Sequence, residues 1–452
     1  MLNDQMVGVN NISIQILLVN PFSNFKVMGV PFKLPNSSVA SVYAIAKNAG
    51  FEVELCDYQI LDEPIIEYID NFLFKRKYNI IGISVGIDVL DHVSKVITYI
   101  KKGFNNITIV IGGFPLTYQP ELWMEVTGAD IGVIGEAEET IAELFPKILM
   151  QSDLSQVKGI IYKSTSGKHI RTSPREIPKL DRAPFPDYSL FDIEPYFKNP
   201  YFKWLFNNKR GLYLISSRGC PYKCSFCCSG GGMRTYPTDR IEAEILKLVE
   251  KFHLNTLFIR DDIFTYNQNR ARFISKVLGK TGISWLCMSR PDLLSREGDR
   301  ELIEIMAQNG CQTIMIGVES YDQRVLDINL KDITLSEIDR AIENCRRAEI
   351  RTIAFLIFGL PGENEESIEH TMDFIRLNNI EVNINILQPL PGSKIYDDAV
   401  RLGKIKDELK YLREFHNFWD YEDIYLPVNM TSLPDEEIIR ASHIANAIKQ
   451  NK

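Results

Sequence analysis

Two series of alternating strand-like and helix-like segments constrain the fold of this 452-residue chain more than any other feature. The first series occupies residues 12–150. Its strand-like runs are ISIQILLV (Ile12–Val19), FEVELC, NIIGISV, ITIVIGG and ADIGVIG. Mostly apolar runs indicate strands buried on both faces, and the lengths between them suit βαβ crossovers. We predict an α/β domain with a doubly wound, flavodoxin-like (Rossmann-type) sheet of five strands and a ligand crevice at their carboxyl ends.

The second series begins near residue 209. Six strand-like runs (GLYLISS, NTLFIR, ISWLCM, QTIMIGV, TIAFLIFG and VNINIL) alternate with amphipathic helical segments. Six βα units predict a partial (β/α)6 barrel with its site at the carboxyl ends of the strands. The segment SPREIPKLDRAPFPDYSLF, rich in proline and aromatic residues, predicts an ordered connector between the two series. The expected parts are a Rossmann domain (1–155), a connector (156–208), a barrel (209–395) and a small C-terminal extension (396–452).

Composition and charge narrow the class of protein. A net charge of −8 argues against a general nucleic-acid or anionic-membrane binder. The start, MLNDQMVGVNN, lacks the basic and apolar regions of a secretory signal, and the apolar run after it is too short to span a membrane. We therefore expect a cytoplasmic protein with no integral membrane segment and no nucleic-acid partner. In a reducing compartment, clustered cysteines more often hold metal than form disulfides.

Such a cluster follows the first strand of the second series. Four of the 8 cysteines lie within the nine residues from Cys220 to Cys228. Cys220, Cys224 and Cys227 form C-x3-C-x2-C, and three such thiolates can bind three irons of a [4Fe–4S] cluster, leaving one iron open. The glycines just beyond allow a small molecule to approach the backbone. A zinc site is the alternative, but Cys228 directly follows Cys227, which is poor spacing for a fourth ligand.

Further motifs lie at the ends of the later strands. Phe226 supplies the aromatic of a C-x3-C-x-Φ-C signature, and RDDIF, SRPD, IGVES, FGLPGENEES and QPLPGSKIYD follow in order. With these motifs the chain resembles radical S-adenosylmethionine (radical SAM) enzymes over nearly its whole length. The resemblance implies a [4Fe–4S] cluster, SAM, and a flavodoxin or ferredoxin as reductant partner. It also implies a small-molecule substrate.

The resemblance also implies roles for individual residues. Those roles are cluster ligation by Cys220, Cys224 and Cys227, backbone contact with the SAM amino group at Gly230 and Gly231, hydrogen bonds to the ribose or methionine moiety from Glu319 and Ser320, and carboxylate binding by Arg290. Two alternatives stay open. For Glu319, the alternative is a solvated acid at the end of its strand. For Arg290, the alternative is a structural pair with Asp292 or Asp261. Cys228 has no role in this family, and we expect it to be a small buried residue.

The N-terminal domain resembles the cobalamin-binding domain of one branch of these enzymes. The resemblance rests on VIGGFPLTYQPE, GVIGEAEETIAEL and the proline-rich connector. Where such domains carry D-x-H-x-x-G, this chain reads DYQILD, with Gln59 in the histidine position and Asp62 in the glycine position. No lower imidazole ligand to cobalt is therefore expected from this loop. The expected cobalamin contacts are Asn20, Ser84, Gly112, Gly113 and Gly135, unless the domain is an empty scaffold.

The leading hypothesis for the reaction is cobalamin-dependent methylation of an unactivated carbon in a small molecule, such as a natural product or lipid. A non-methylating cyclisation, rearrangement or dehydration shares every motif. A methylthiotransferase would need three additional N-terminal cysteines, and only Cys56 precedes residue 220. A non-catalytic cluster-sensing protein would lack a SAM motif. We expect Trp285, Met315 and the segment Glu414–Pro427 to line the substrate site or else to belong to the core.

Overall fold

The computed structural model describes residues 15–23, 26–27, 30–31, 33–378, 380–415 and 426–450. The chain divides into two compact units. The first comprises the described parts of Met1–Lys26, Pro31–Asn199 and Leu412–His416. The second comprises those of Val27–Val30, Pro200–Tyr411 and Asn417–Lys452.

The described residues of the first part of the chain form nine strands. They are β1 (Gln15–Asn20), β2 (Lys26–Val27), β3 (Val30–Pro31), β4 (Glu52–Asp57), β5 (Ile80–Ser84), β6 (Thr108–Gly112), β7 (Ile131–Val133), β8 (Ile160–Lys163) and β9 (His169–Arg171). One sheet has the order β4-β1-β5-β6-β7-β8-β9, and β2 pairs with β3 separately. The five predicted strands are β1 and β4–β7, all parallel in the flavodoxin-like order, which confirms the predicted doubly wound sheet.

Two strands lie where the sequence predicted only a connector. β8 pairs antiparallel with β7, and β9 pairs antiparallel with β8, so the sheet is mixed. This is a correction to the sequence analysis. The two strands are only four and three residues long, and most of β9 is exposed, so neither carries the apolar run that marks a buried parallel strand.

Helices alternate with the parallel strands of the first unit and also follow the last of them. They are α1 (Ser37–Asn48), α2 (Asp70–Leu73), α3 (Leu90–Gly103), α4 (Phe114–Tyr118), α5 (Pro120–Thr127), α6 (Glu138–Leu149) and α7 (Glu194–Lys198). Asn36 caps α1, because its side chain accepts from the backbone N–H groups of Ser38 and Val39. The helix ends where the sequence predicted, since Gly50 follows it with a φ of +85°.

The second part of the chain builds the predicted partial barrel. Its strands are β10 (Gly211–Leu214), β11 (Ser217–Arg218), β12 (Arg234–Thr235), β13 (Thr256–Ile259), β14 (Ser284–Ser289), β15 (Cys311–Glu319), β16 (Arg351–Phe358) and β17 (Glu381–Ile386). Six of them form one parallel sheet in the order β10-β13-β14-β15-β16-β17. These are the six predicted barrel strands. β11 and β12 form a small antiparallel hairpin of their own.

The helices of this part of the chain are α8 (Pro200–Leu205), α9 (Thr238–Phe252), α10 (Gln268–Thr281), α11 (Glu297–Gln308), α12 (Gln323–Ile328), α13 (Leu335–Arg347), α14 (Glu365–Asn378), α15 (Lys394–Arg401), α16 (Glu408–Glu414) and α17 (Asp435–Gln450). α17 packs against β17 and α14, so it extends the barrel beyond its sixth strand. Within the described ranges, no helix has both the length and the apolar character needed to cross a bilayer.

Candidate functional site

The cysteine loop leaves the barrel between β11 and β12. Gly219 has a φ of +87°, and a Cβ atom there would lie 2.1 Å from the backbone oxygen of Gly232. Only glycine allows the two ends of the loop to approach this closely. The loop is therefore closed at its base while the cysteines lie between its two ends.

A buried ion pair fixes the start of this loop. Asp261 accepts hydrogen bonds from the backbone N–H groups of Ser216 (2.6 Å) and Ser217 (2.9 Å). Arg270 Nη2 donates to the backbone oxygen of Ser216 at 2.6 Å and pairs with Asp261. The RDDIF motif is visible in the sequence, but this role of Asp261 was not predicted from it. The signal was an acid directly after a buried strand.

The residues between Cys224 and Cys227 anchor the loop to the barrel. Phe226 packs against a buried apolar cluster made of Val325, Leu360, Leu387 and Ile395. Before it, Ser225 N donates to the backbone oxygen of Asn329 at 3.0 Å, and Ser225 Oγ donates to its Oδ1 at 2.9 Å. The aromatic of the signature is thus a packing residue that holds the cysteine spacing in place.

The three cysteines differ in exposure. Cys220 and Cys224 are half-buried, and burial raises the pKa of both thiols, whereas Cys227 is exposed. Two N–H donors point at the sulfurs: Ser229 N lies 3.3 Å from Cys227 Sγ, and Arg290 Nη1 lies 3.7 Å from Cys224 Sγ. Such donors are typical of iron–sulfur sites, where they stabilise the ligating thiolates.

The three thiols are not gathered around a single point. No group of three or more His, Cys, Asp or Glu side chains in the described part of the chain is arranged to hold a metal ion. In a [4Fe–4S] cluster each cysteine binds a different iron, so its thiolates need not converge on one point. Cys228 is half-buried rather than fully buried, and burial raises its pKa to about 12.

Glu319 and Lys331 form a buried ion pair at the end of β15. Lys331 Nζ donates to Glu319 Oε1 at 2.7 Å, and both side chains are at most one-tenth exposed. Glu319 has a φ of +66°, a strained conformation for a residue with a side chain. The alternative of a solvated acid at the strand end is therefore wrong.

The residue after Glu319 presents a polar atom with no partner. Ser320 is buried, and its Oγ makes no hydrogen bond to any described residue. A buried hydroxyl is costly to leave unsatisfied, and a polar ligand would remove that cost. Glu319 and Ser320 thus meet the chemistry expected of SAM contacts, which stay a prediction.

Arg290 pairs with Asp292, one of the two structural partners that the sequence left open. Its Nε donates to Asp292 Oδ1 at 2.9 Å, and its Nη2 donates to the backbone oxygen of Lys331 at 2.6 Å. Burial opposes the charge of Arg290, but Asp292 and Cys224 outweigh it and raise the arginine pKa. Arg290 therefore joins the cysteine loop to the Glu319–Lys331 pair. Lys331 was missed in the sequence.

Two glycines and two large side chains complete the residues that the sequence singled out in the second unit. A Cβ on Gly230 would meet no atom within 4 Å, so the backbone there has room for a ligand. Gly231 has a φ of +87°, and the expected SAM contacts at both glycines stay predictions. Trp285 is buried, and its Nε1 donates to the backbone oxygen of Asn309 at 2.8 Å, while Met315 is 5% exposed. Both therefore belong to the core. Most of Glu414–Pro427 lies outside the described residues.

In the first unit, a polar network links the carboxyl ends of three strands. Asn20 Nδ2 donates to Asp57 Oδ1 at 2.8 Å, and Tyr196 OH donates to Asp57 Oδ2 at 2.7 Å. Asn36 Nδ2 contacts both Asn20 Oδ1 (3.1 Å) and Ser84 Oγ (3.2 Å). The structure thus brings Asn20 and Ser84 together where the strand order reverses, the place where such sheets bind ligands.

The three expected glycines differ in their surroundings. A Cβ on Gly113 would lie 2.1 Å from the backbone oxygen of Val85, so this glycine serves close backbone packing. Gly112 has room for an ordinary contact with Val133, and Gly135, at a φ of +80°, has no atom within 4 Å of a Cβ position. Gly135 is the most open of the three. Their cobalamin contacts stay predictions.

Gln59 and His92 hold the chain after β1. Gln59 Nε2 donates to the backbone oxygen of Pro21 at 2.8 Å, and Phe22 N donates to His92 Nδ1 at 3.2 Å. Burial lowers the pKa of His92 to about 4, so its ring is neutral and carries its proton on Nε2. That nitrogen has no lone pair for a metal. The absence of an imidazole ligand to cobalt stays a prediction.

Comparison with known proteins agrees with this geometry. The Radical SAM superfamily matches residues 214–375, and the B12 binding domain matches residues 27–145. The solved structure of TsrM from Kitasatospora setae, with cobalamin and a [4Fe–4S] cluster bound, superposes with a TM-score of 0.72 at 18% identity. The match covers 87% of this chain and 79% of that one. This likeness concerns the fold.

Three curated relatives are similar in sequence. An uncharacterized methyltransferase of Pyrococcus horikoshii is 29% identical over 71% of this chain and 69% of its own. Cytidylyl-2-hydroxyethylphosphonate methyltransferase of Streptomyces wedmorensis is 22% identical over 91% of this chain and 88% of its own. The anaerobic magnesium-protoporphyrin IX monomethyl ester cyclase of Rubrivivax gelatinosus is 26% identical over 74% and 61%.

The fold and the two matched domains define a protein that joins a B12-binding domain to a radical SAM domain. The chain is a radical SAM enzyme of this class, as the sequence predicted. The expected cofactor set of a [4Fe–4S] cluster, SAM and cobalamin agrees with these domains.

Proposed function

We propose that the chain is a cobalamin-dependent radical SAM methylase that acts on an unactivated carbon of a small molecule, such as a natural product or lipid. When bound, the cofactors supply a 5′-deoxyadenosyl radical from SAM and a methyl group carried on cobalt. The observation that carries the proposal lies in the first unit: Gln59 occupies the histidine position and donates to Pro21 instead. Cobalt without a protein imidazole suits repeated transfer of a methyl group.

Different residues of the second unit would hold the cluster and SAM. Cys220, Cys224 and Cys227 would ligate the cluster through their thiolates. Glu319 and Ser320 would hold SAM, since one offers a fixed buried carboxylate and the other a hydroxyl without a described partner. Lys331 holds the carboxylate in one orientation, because its Nζ donates to Glu319 Oε1 at 2.7 Å.

In the first unit, the strand ends would hold cobalamin. Asn20, Ser84 and Asn36 already form one hydrogen-bonded group at the reversal of strand order. Gly135 leaves open space beside β7 for an extended group such as a nucleotide tail. The two methyltransferases among the reported relatives support methyl transfer, and one of them covers 91% of this chain.

A second candidate function is a non-methylating radical reaction, such as a cyclisation, with the B12-binding domain in an auxiliary role. The similarity to the cyclase of Rubrivivax gelatinosus favours it, because that relative is 26% identical over 347 residues. The two candidates use the same cluster loop and the same predicted SAM contacts. They differ in whether the methyl group of SAM is consumed.

Product analysis separates the two. We would reconstitute the full chain anaerobically with iron, sulfide and hydroxocobalamin, and incubate it with SAM, a flavodoxin or ferredoxin reductant, and cytoplasmic extract of the source organism. A methylase forms S-adenosylhomocysteine and 5′-deoxyadenosine in comparable amounts, and the Cys224→Ala variant forms neither. Formation of 5′-deoxyadenosine alone, with no cobalamin retained, would overturn the methylase proposal in favour of the second candidate.

A further inference from the structure

The guanidinium of Arg290 is buried against the sulfur of Cys224. Arg290 directly follows β14 and is 5% exposed. Its Nη1 lies 3.7 Å from Cys224 Sγ, within hydrogen-bond range for a sulfur acceptor. The predicted role of Cys224 as an iron ligand makes this contact a charged hydrogen bond to a cluster sulfur.

Other contacts hold the guanidinium in this position. Asp292 accepts from Nε at 2.9 Å, and the backbone oxygens of Lys331 (2.6 Å) and Asp332 (3.4 Å) accept from Nη2. The ring of Tyr222 lies against the guanidinium, 3.5 Å from its centre, and Tyr222 OH donates to Asp292 Oδ2 at 2.9 Å. Moving the arginine toward another ligand would break several of these contacts at once.

We propose that Arg290 sets the reduction potential of the cluster by donating to Cys224, with Asp292 moderating its charge. This inference rests on the proposed function, since it requires the cluster to be bound. Reduction adds one electron, and no proton, from an external low-potential donor. A fixed cation beside a cluster sulfur stabilises the added negative charge, and hydrogen bonds to the sulfurs are a known determinant of cluster potential.

The role differs from the SAM contact that the sequence predicted for Arg290. A residue that binds the SAM carboxylate affects the cluster only when SAM is present. A residue that acts through Cys224 affects the potential with SAM absent. Arg290 is therefore a positioning and electrostatic residue, and the measurement that distinguishes the two roles is made without SAM.

Two substitutions should shift the potential in opposite directions. Arg290→Gln removes the cation, so the reduced-to-oxidised ratio at a fixed potential should fall about tenfold, or about 59 mV for one electron. Asp292→Asn removes the neighbouring negative charge, so the same ratio should rise. Arg290→Lys should give a smaller decrease, because lysine keeps the charge but lacks the planar donor set. Damage to the loop alone would not produce opposite signs.

The experiment uses the anaerobically reconstituted full chain and a redox titration followed by electron paramagnetic resonance. Lys223→Gln is the matched control, because Lys223 is exposed and precedes Cys224 in the same loop. Its potential should equal that of the wild type. If Arg290→Gln takes up no cluster, the Asp292→Asn variant tests the proposal by itself. A higher potential in that variant supports the proposal, and a lower one overturns it. Unchanged potentials in both variants overturn this inference alone, whereas a wild-type chain without a cluster overturns the proposed function as well.

Discussion

Lys331 Nζ lies 2.7 Å from Oε1 of Glu319, and the two side chains form a buried ion pair. Their backbones come from different elements, the end of β15 and the loop after α12. Glu319 is also held at a φ of +66°. Strained residues of this kind persist only where the surrounding structure fixes them, and they concentrate at ligand sites. The pair therefore presents one carboxylate in one orientation beside the cysteine loop.

Replacing Glu319 with glutamine should weaken SAM binding by roughly 1–3 kcal/mol, because it removes a charged acceptor from a desolvated site. Calorimetry on the anaerobic, cluster-loaded chain measures this. Iron content should stay at the wild-type level. The control is Glu381→Gln, because Glu381 pairs with Arg351 at the beginning of β17. An affinity equal to wild type in Glu319→Gln would show that Glu319 serves the fold alone.

Removing the lysine should destabilise the barrel unit. In Lys331→Met, the carboxylate of Glu319 is left buried without its cation, a loss of about 3–5 kcal/mol for such pairs. The double variant Lys331→Met/Glu319→Gln should recover much of that loss, since no charge is left unpaired. Urea denaturation of the three chains without cofactors tests this, and a double variant as unstable as the single one would contradict it.

Substitution of Cys224 and substitution of Cys228 should have opposite outcomes for cluster assembly. Cys224→Ala should abolish both cluster assembly and SAM cleavage, whereas Cys228→Ala should leave both, because Cys228 has no assigned iron. The wild type should carry about four irons, with the broad visible absorption of a cysteinyl cluster. Iron analysis and absorption spectra give the result. Equal loss in the two variants would refute the assignment of ligands.

Cobalamin bound to this chain should lack a protein nitrogen ligand. Gln59 donates to Pro21, and His92 uses Nδ1 to accept from Phe22, so neither offers a lone pair on nitrogen to cobalt. The paramagnetic resonance spectrum of the cob(II)alamin form should be base-off, with neither a protein nitrogen nor the base of cobalamin on cobalt, and it should be the same in His92→Phe as in the wild type. Nitrogen coupling that disappears in His92→Phe would identify His92 as the ligand after all.

Glu363 should make stability depend on pH. Burial raises its pKa to about 8, although the backbone N–H groups of Gly359 and Leu360 act to lower it. Between about pH 4.5 and pH 8 the folded chain keeps a proton on Glu363 that the unfolded chain has lost. The free energy of unfolding should thus fall with rising pH, by at most roughly 1.4 kcal/mol per unit.

The matched variant for this test is Glu363→Gln, which keeps an acceptor for the Gly359 N–H but does not ionise. The unfolding free energy of this variant should lose that pH dependence. The difference in unfolding free energy, variant minus wild type, should therefore increase from pH 5.5 to pH 8.5. Urea denaturation at the two pH values measures the difference. A constant difference between the two chains would show that Glu363 is already ionised at pH 5.5.

The sequence by itself determined the order of elements and the identity of the chemistry. Buried strands have continuous apolar runs, so the parallel strands of both sheets could be predicted from the sequence. The three cysteines could be predicted as cluster ligands because their spacing is local, and the two-domain class followed from the order of the motifs. Local patterns of this kind need no knowledge of distant residues.

The tertiary structure decided what depends on contacts between distant residues. Lys331 sits in no motif, and only folding brings it to Glu319 and its backbone to Arg290. The strands β8 and β9 were missed because strands of three or four residues form by pairing with a sheet edge and carry no strong pattern of their own. The sequence left open whether Arg290 binds SAM or pairs with Asp292 or Asp261. Only the packing of Tyr222, Asp292 and Cys224 around it shows that it pairs with Asp292. Burial and pairing fix the charge and position of such groups, and both are properties of the folded chain.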